Sequence, residues 1–309
     1  MTIPSGARTR VAYIAEVTPG TTPTSPGFQC IRVTGGGIRT HKTTKPIAEI
    51  NQDRNYRSEP NTYQSASVNY GFALHYGAFD DLLAQALFGS WQTNVLKNGT
   101  TRNFATFEET YVTGAATLSF SRLTMGAVDN FNLDITAQSE ITGSFEIIGQ
   151  KETLDTAILG SATYTAASNN DVMGAGANVG SLSVASMTTP KIKKLTIAVK
   201  NSLIQRPVVD ALYSEEFGEG LCDVTGTLEM YYASNAHYQK NLDHGGGALS
   251  VVLGSVSGSK YQIDMGNIVF LDGAKSVQGP NGDVMISQPY RAKYYSSDAA
   301  SIKITRAVA

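Results

Sequence analysis

The chain has 309 residues, enough for about two domains of ordinary size or one large β-domain, and 24 Lys+Arg against 26 Asp+Glu leave a formal charge of −2. Charged residues make up only 16%, below the roughly 25% of ordinary soluble domains, so electrostatic capture of nucleic acid or acidic membrane is not expected. No apolar run approaches the roughly 18 residues of a spanning helix, the N-terminal residues lack the apolar stretch of a secretory signal, and the 2 cysteines, Cys30 and Cys222, fit neither a disulfide framework nor a zinc spacing.

In chain order, residues 1–27 read as an N-terminal arm with one short strand, Arg10–Val17, and an extended Pro/Gly/Thr segment. Thr43–Tyr63 is polar, charged and without a clean period. From Ala66 to Tyr76 the apolar Ala66, Val68, Tyr70, Phe72, Leu74 and Tyr76 alternate with Ser67, Asn69, Gly71 and His75, the pattern of a half-buried strand. Ala78–Phe88 sets Phe79, Leu82, Leu83, Ala86 and Leu87 at helical spacing, with Gly89 as the cap. Asn98-Gly99 predicts a tight hairpin turn between Thr93–Leu96 and Arg102–Phe107. Further on, Phe131, Leu133, Ile135 and Ala137 alternate with Asn132, Asp134, Thr136 and Gln138, and Ile141, Gly143, Phe145 and Ile147 alternate with Thr142, Ser144 and Glu146. Residues 154–189, dense in Ala, Ser, Gly and Asn, read as a linker or a long surface excursion.

In the second half, Val224, Gly226, Leu228, Met230 and Tyr232 share one face of a strand. A weaker helix, Ser234–Leu242, is opened by a Ser or Asn cap, a hairpin spans Leu249–Met265, and Pro280-Asn281-Gly282-Asp283 marks another hairpin turn. A shift of 156 residues lays Val68–Tyr76 on Val224–Tyr232, and Ile141–Gly149 corresponds in order to Ile286–Tyr294. The class is mainly β with one short helix per half. The matching order of strand, helix and hairpin predicts an internal duplication, with domains at 28–153 and 190–309. Two unrelated β-domains of coincidental order are the alternative.

No catalytic constellation emerges. Gly254-Ser-Val-Ser-Gly258 puts Val256 at the nucleophile position of an elbow motif, and His244-Gly-Gly-Gly247 imitates an oxyanion string with no nucleophile to serve. Gly174-Ala-Gly-Ala-Asn-Val-Gly180 misses the dinucleotide spacing by one residue, and Gly273-Ala-Lys-Ser276 lacks the upstream glycine of a phosphate loop. His41, His75, His237 and His244 are not spaced as metal ligands, and His75, on a strand's polar face, reads as an interface or hydrogen-bonding residue. Asp80-Asp81 suits the first turn of a helix, whereas strand neighbours such as Glu108-Glu109 point to opposite faces. Lys191-Ile-Lys-Lys194 is the one basic cluster, and it opens a strand. No catalytic, cofactor-binding or metal-ligating residue is assigned, and an enzyme is not expected.

Five stretches carry a resemblance: Val11-Ala-Tyr-Ile-Ala-Glu-Val-Thr-Pro-Gly-Thr-Thr-Pro23; Glu49 with Asp53-Arg54; Leu74-His-Tyr-Gly-Ala-Phe-Asp-Asp-Leu-Leu-Ala-Gln-Ala-Leu-Phe88; Leu96-Lys-Asn-Gly99; and Ile302-Lys-Ile-Thr-Arg306. On them the chain resembles the tail tube proteins of long-tailed, non-contractile bacteriophages in their two-domain form, with the second half matching more loosely. The resemblance implies two tandem β-sandwich domains, each with a flanking α-helix, whose sheets extend side by side in a ring to form a continuous inner barrel. Three chains would present six pseudo-equivalent units, with a ring of six chains as the alternative. Stacked rings would form the virion tail tube, assembled in the host bacterial cytoplasm, that conducts the genome during ejection. A tape-measure protein, a tail terminator and distal tail proteins are the implied partners. Duplex DNA would pass without specific binding, and no cofactor or membrane is implied.

Within that frame, a conduit that must release DNA should present neutral or acidic groups, because each Lys or Arg touching a phosphate adds a salt-dependent binding term. Asn132, Asp134, Thr136, Gln138 and Glu140 have that character and are the candidate lumen lining, with an outer solvated face as the alternative. Thr43–Tyr63, with Glu49, Asp53, Arg54, Arg57 and Glu59, is the candidate loop to the next ring. Competing readings are a tube of a contractile or secretion machine, commonly a shorter single-domain chain; a carbohydrate-binding β-sandwich, for which the sole Trp91 is a poor platform; and a β-rich hydrolase, which lacks every motif sought.

Overall fold

The computed structural model describes residues 3–114, 117–185, 187–188, 190–277 and 279–309. Of the residues assigned above to the arm and the linker, Met1, Thr2, Ser186 and Thr189 lie outside the described residues. A 3-10 turn (Gly6–Arg8) precedes β1 (Arg10–Ala15) and β2 (Gly27–Ile31). Next come β3 (Arg39–Thr44), β4 (Asn61–Ala73), α1 (Asp80–Ala86), β5 (Val95–Lys97), β6 (Ala105–Val112), the 19-residue β7 (Leu118–Thr136) and β8 (Thr142–Gly149). The middle of the chain holds β9 (Lys151–Asp155), β10 (Thr163–Thr165), the single turn α2 (Ala175–Asn178), β11 (Val179–Val184), β12 (Ile192–Lys200), β13 (Ile204–Arg206) and β14 (Glu216–Gly218). It closes with β15 (Asp223–Tyr231), α3 (Asn235–Leu242), β16 (Gly246–Leu253), β17 (Tyr261–Phe270), β18 (Ala274–Val277), β19 (Val284–Ala292) and β20 (Lys303–Arg306).

Eight strands lie side by side, each antiparallel to its neighbours, in the order β3-β4-β8-β7-β12-β15-β19-β18. Strand β7 serves two sheets: Ala127–Thr136 belongs to this one, while its N-terminal part joins a second sheet ordered β10-β2-β1-β6-β7-β9. In the second half, β17 carries β16 and then β11 along one edge. Along its other edge β17 pairs with β20 over Tyr261–Asp264 and with β19 over Ile268–Phe270.

The register repeats between the halves. Val68, Tyr70 and Phe72 of β4 stand opposite Ile147, Phe145 and Gly143 of β8. The matched positions Val224, Gly226 and Leu228 of β15 stand opposite Ala292, Tyr290 and Gln288 of β19. Bulk changes partner between the two ladders. Gly143 makes room for the Phe72 ring, whereas a Cβ at Gly226 would collide with the Thr196 carbonyl oxygen and the Tyr290 hydroxyl. That hydroxyl donates to the Thr196 carbonyl at 2.8 Å.

One hydrophobic cluster runs through both halves, from Val11 and Tyr13 to Ile302 and Ile304. Phe72, Phe79, Phe131 and Phe145 stack at its centre, with Phe72 and Phe79 centroids 4.5 Å apart. Burying such side chains is worth about 1.5–3 kcal/mol each, so the aromatic centre is where α1 is fixed to its sheet. In α3, the Ser234 side chain accepts from the Ala236 N–H at 3.1 Å, the capping the sequence suggested.

Several local expectations are corrected. Asn98-Gly99 is not a hairpin turn: β5 pairs with β20, and β6 pairs with β1 and β7. The dipeptide instead docks other chain segments, Asn98 Oδ1 accepting from Ser301 N (2.8 Å) and Ile302 N (3.1 Å) and Gly99 N donating to Leu87 O (2.9 Å). The Pro/Gly/Thr segment of the arm is not extended throughout. Thr18-Pro19-Gly20-Thr21 closes a turn, Thr21 N donating to Thr18 O at 3.0 Å. Pro19 presets one φ and Gly20 supplies the other at +79°, as a type II turn requires. β1 itself lies inside a sheet between β2 and β6. Residues 154–189 contain β10, which pairs in parallel with β2, and β11, which pairs with β16, so much of the stretch is docked. His75 lies beyond the end of β4 and is buried, not on a polar face. The Pro280–Asp283 turn does join an antiparallel pair, β18 to β19.

Candidate functional site

The expected lumen residues start on the central strand of the eight-stranded sheet. Phe131, Leu133 and Ile135 of β7 face the core, so Asn132, Asp134 and Thr136 share the opposite, half-buried face. The Thr136 hydroxyl donates to Asp134 at 2.5 Å. Gln138 and Glu140 do not continue that face. The strand ends at Thr136, Ser139 N donates to Thr136 O across a tight reversal, Gln138 takes φ +65° within it, and Glu140 forms an isolated bridge with Gly174.

Neighbouring strands complete the face with paired charges. Lys194 of β12 stands opposite Thr136 of β7 and Glu229 of β15. Its ammonium lies 2.6 Å from Asp134, and the hydrogen bond to Asp134, with Glu229 nearby, holds its pKa above the ordinary lysine value. Arg291 of β19 grips Asp223 of β15 through two nitrogens, at 2.8 and 3.1 Å. Asp223 also stands opposite Lys200. Each of these bases therefore has a carboxylate beside it. The sequence reading of β7 alone saw a strand without bases; it missed Lys194, which the fold brings in from the second half. The signal present was the Lys191-Ile-Lys-Lys194 cluster at a strand start, but nothing local ties it to Asp134.

The second surface is the connection between β3 and β4, residues 45–60. It leaves the sheet as a prolonged hairpin, Lys45 N donating to Pro60 O (3.1 Å) and Ile47 N to Ser58 O (3.0 Å). Glu49, Asp53, Arg54, Arg57 and Glu59 are all exposed on it. Arg57 pairs with Asp53 at 3.2 Å, Glu59 accepts from the Thr44 hydroxyl at 2.6 Å, and Arg54 takes φ +59° at the tip. Ile50 and Tyr56 project fully or largely into solvent. The corresponding connection in the second half, 201–222 between β12 and β15, folds down instead. Gln64 N donates to Leu212 O (2.8 Å), Tyr63 reaches Gln205 (2.8 Å) and Ser214 (2.6 Å), and Phe217 is buried beside Met125 and Ala127.

The acidic pairs serve structure. Glu108 and Glu109 of β6 are both buried and point apart. Glu108 meets Arg122 at 2.7 Å and the Tyr164 hydroxyl at 2.6 Å. Glu109 accepts from Tyr70 (2.8 Å), Tyr111 and the Ile38 N–H (3.1 Å). Asp80, in the first turn of α1, binds Tyr261 and Arg306 and so ties the helix to β17 and β20. Trp91 lies over that link, its Nε1 donating to Asp80 O at 2.9 Å with the Arg306 guanidinium 4.5 Å from its ring. Both cysteines are free, and burial pushes the Cys222 thiol up to about 11. Among the described residues no cluster of His, Cys, Asp and Glu is placed to hold a metal, and no helix is long and apolar enough to cross a membrane.

What the geometry offers is strand edges, a charge-paired sheet face and a protruding hairpin, the parts of an assembling wall. A family model described as phage tail tube protein matches residues 6–292, which takes in the whole eight-stranded sheet and the hairpin. No curated protein matches the sequence. The mainly β chain therefore belongs to the phage tail tube protein family and is a structural protein of a phage tail tube.

Proposed function

We propose that the eight-stranded sheet is one third of the inner wall of a ring, and that stacked rings form the tail tube of a long-tailed, non-contractile phage through which the genome leaves. One observation carries this reading: the sheet is made of two four-strand sets, β3-β4-β8-β7 and β12-β15-β19-β18, whose central ladders share a register. Three chains would supply six such sets. The two tandem units, 28–153 and 190–309, are then wall segments rather than separately packed domains, since one core serves both.

On this reading the Asn132, Asp134, Thr136 face looks into the channel; Lys194 and Arg291 are neutralised by Asp134 and Asp223, and Arg39, opposite Ser67 at the sheet edge, has no ion pair among the described residues, so DNA finds few free cations. The hairpin 45–60 reaches the adjacent ring. Assembly in the host cytoplasm with a tape-measure protein, a terminator and distal tail proteins follows from the role. An end-on image of assembled tubes tests it: three chains per ring, with Asp134 and Lys194 at the inner radius, are expected. Six chains per ring, or Asp134 on the outer surface, would overturn it.

A further inference from the structure

The β7·β12 seam inside each chain joins the last strand of the first four-strand set to the first strand of the second. The repeat gives the same relation at the two outer edges of the sheet, and its register can be carried over residue by residue. Thr142 faces Asp134, and its counterpart Ser287 faces Ala274, so Ala274 occupies the place of Asp134. Ser67 faces Arg39, and its counterpart Asp223 faces Lys200, so Arg39 occupies the place of Lys200. The bridge Gly35 to Gly71 agrees with that assignment, because Thr196 faces Thr227 at the corresponding rungs.

Resting on the tube reading, we propose that Ala274–Val277 of one copy pairs with the Val33–Gly37 edge of the next copy, in the register of the β7·β12 seam. Asp134 faces Thr196 within the chain, so Ala274 faces Gly35 of the neighbouring copy; Thr136 faces Lys194, so Ser276 faces Val33. Two observations fit this occupant. Each edge pairs on one side only among the described residues, β18 with β19 and Thr34-Gly35 with Gly71. All four residues of β18 are exposed, and a Cβ at Gly35 or Gly37 would meet nothing within 4 Å, so a strand can approach closely. An unpaired edge is a template for another strand, and here each copy carries both complementary edges, which is the arrangement that closes a ring. The seam between copies also lacks the Lys194–Asp134 ion pair, since Val33 and Ala274 stand at those places.

The test is thiol cross-linking in a parent freed of its own thiols (Cys30→Ser, Cys222→Ser). Gly35→Cys with Ala274→Cys should give covalent dimers and trimers on treatment with a short bismaleimide, at least about tenfold more than Lys42→Cys with Ala274→Cys. Lys42 lies seven residues along the same edge, about 20 Å away. Residues 35 and 274 sit at opposite edges of one sheet, so the link can form only between copies. Electron microscopy of the same samples separates the failures. Tubes in which the 35/274 pair links no better than the 42/274 pair overturn the seam and leave the tube reading standing. An unsubstituted chain that forms no tubes overturns both, and if only the thiol-free parent fails to assemble, Cys222→Ala replaces Cys222→Ser, because Cys222 packs against the core. If the doubly substituted chain does not assemble, singly substituted chains mixed into parent tubes give the same reading.

Discussion

At the scale of single residues, the fold rests on pairs of positions that compensate each other. Gly226 exists because the Tyr290 hydroxyl and the Thr196 carbonyl occupy the space a side chain would need. Gly226→Ala is expected to lower stability by about 1–3 kcal/mol through overpacking, with partial recovery in Gly226→Ala/Tyr290→Phe; urea midpoints decide this, and an unchanged midpoint for the single variant would refute it. Removing Glu108 strands the buried Arg122 guanidinium. Because Asp155 still reaches Arg122 at 3.1 Å, the loss for Glu108→Ala should sit at the low end for a broken buried pair, about 3 kcal/mol. His75 supplies the pH dependence. Burial holds its imidazole below the ordinary 6.5, so the unfolded chain takes up the proton first. Its contribution is full above about pH 6.5 and is lost as the pH falls below that value. His75→Gln should flatten that acid limb of a urea-midpoint profile, and an unchanged limb would assign it elsewhere. Such residues were only half legible in the sequence. The alternation placed Asn132, Asp134 and Thr136 on one face correctly, but burial of His75, Glu108 and Glu109 depends on layers that no local pattern reveals.

At the scale of elements, legibility follows sequence distance. α1, β4, β8 and β15 could be read because their periodicity is a local property, α3 because its capping residue is local too, and β19 only through its place in the repeat. The Asn98-Gly99 turn misled because a good turn dipeptide fixes a hairpin only if the flanking strands prefer each other, and β5 has β20 as its partner. That arrangement makes β20 a staple: it pairs with β17 on one side and β5 on the other, and Arg306 adds the bond to Asp80 and the contact with Trp91. Arg306→Ala should cost about 1–2 kcal/mol and speed proteolysis around residues 90–100 before the rest of the chain is cut. Cleavage spread evenly over the chain would argue against a staple. The 45–60 hairpin is the opposite kind of element, making little contact with the body of its own chain. Replacing 47–58 by Asn-Gly should leave the circular dichroism and urea midpoint of the isolated chain nearly unchanged and abolish tubes; normal tubes would remove its assignment to the ring-to-ring contact.

At the scale of the whole molecule, near-neutral charge acquires a spatial meaning. On the sheet face of Asp134, Lys194 and Arg291 stand beside carboxylates, which weakens the hold that face would have on a polyanion. Asp134→Asn with Asp223→Asn would remove the carboxylates that Lys194 and Arg291 grip, leaving Glu229 opposite Lys194. Tubes of that variant should retain duplex DNA at about 50 mM salt and release it at about 200 mM, whereas parent tubes should bind weakly at both. Equal retention by the two would place this face away from the channel. The two halves share the register of their central strands but not their outer connections, because 45–60 projects and 201–222 lies down over Tyr63 and Gln64. A ring of three chains would therefore carry three projecting hairpins on a wall of six similar segments.

The placement of β20 also sets a timetable. Asn98 and its partner Ser301 are 203 positions apart, and β5 finds no strand partner until residues 303–306 have emerged from the ribosome. At about 5–20 residues per second, a nascent first half waits on the order of ten seconds or more with that edge open and the aromatic centre only partly covered. Chains interrupted before residue 303 would keep that edge open, because no other strand pairs with β5 among the described residues.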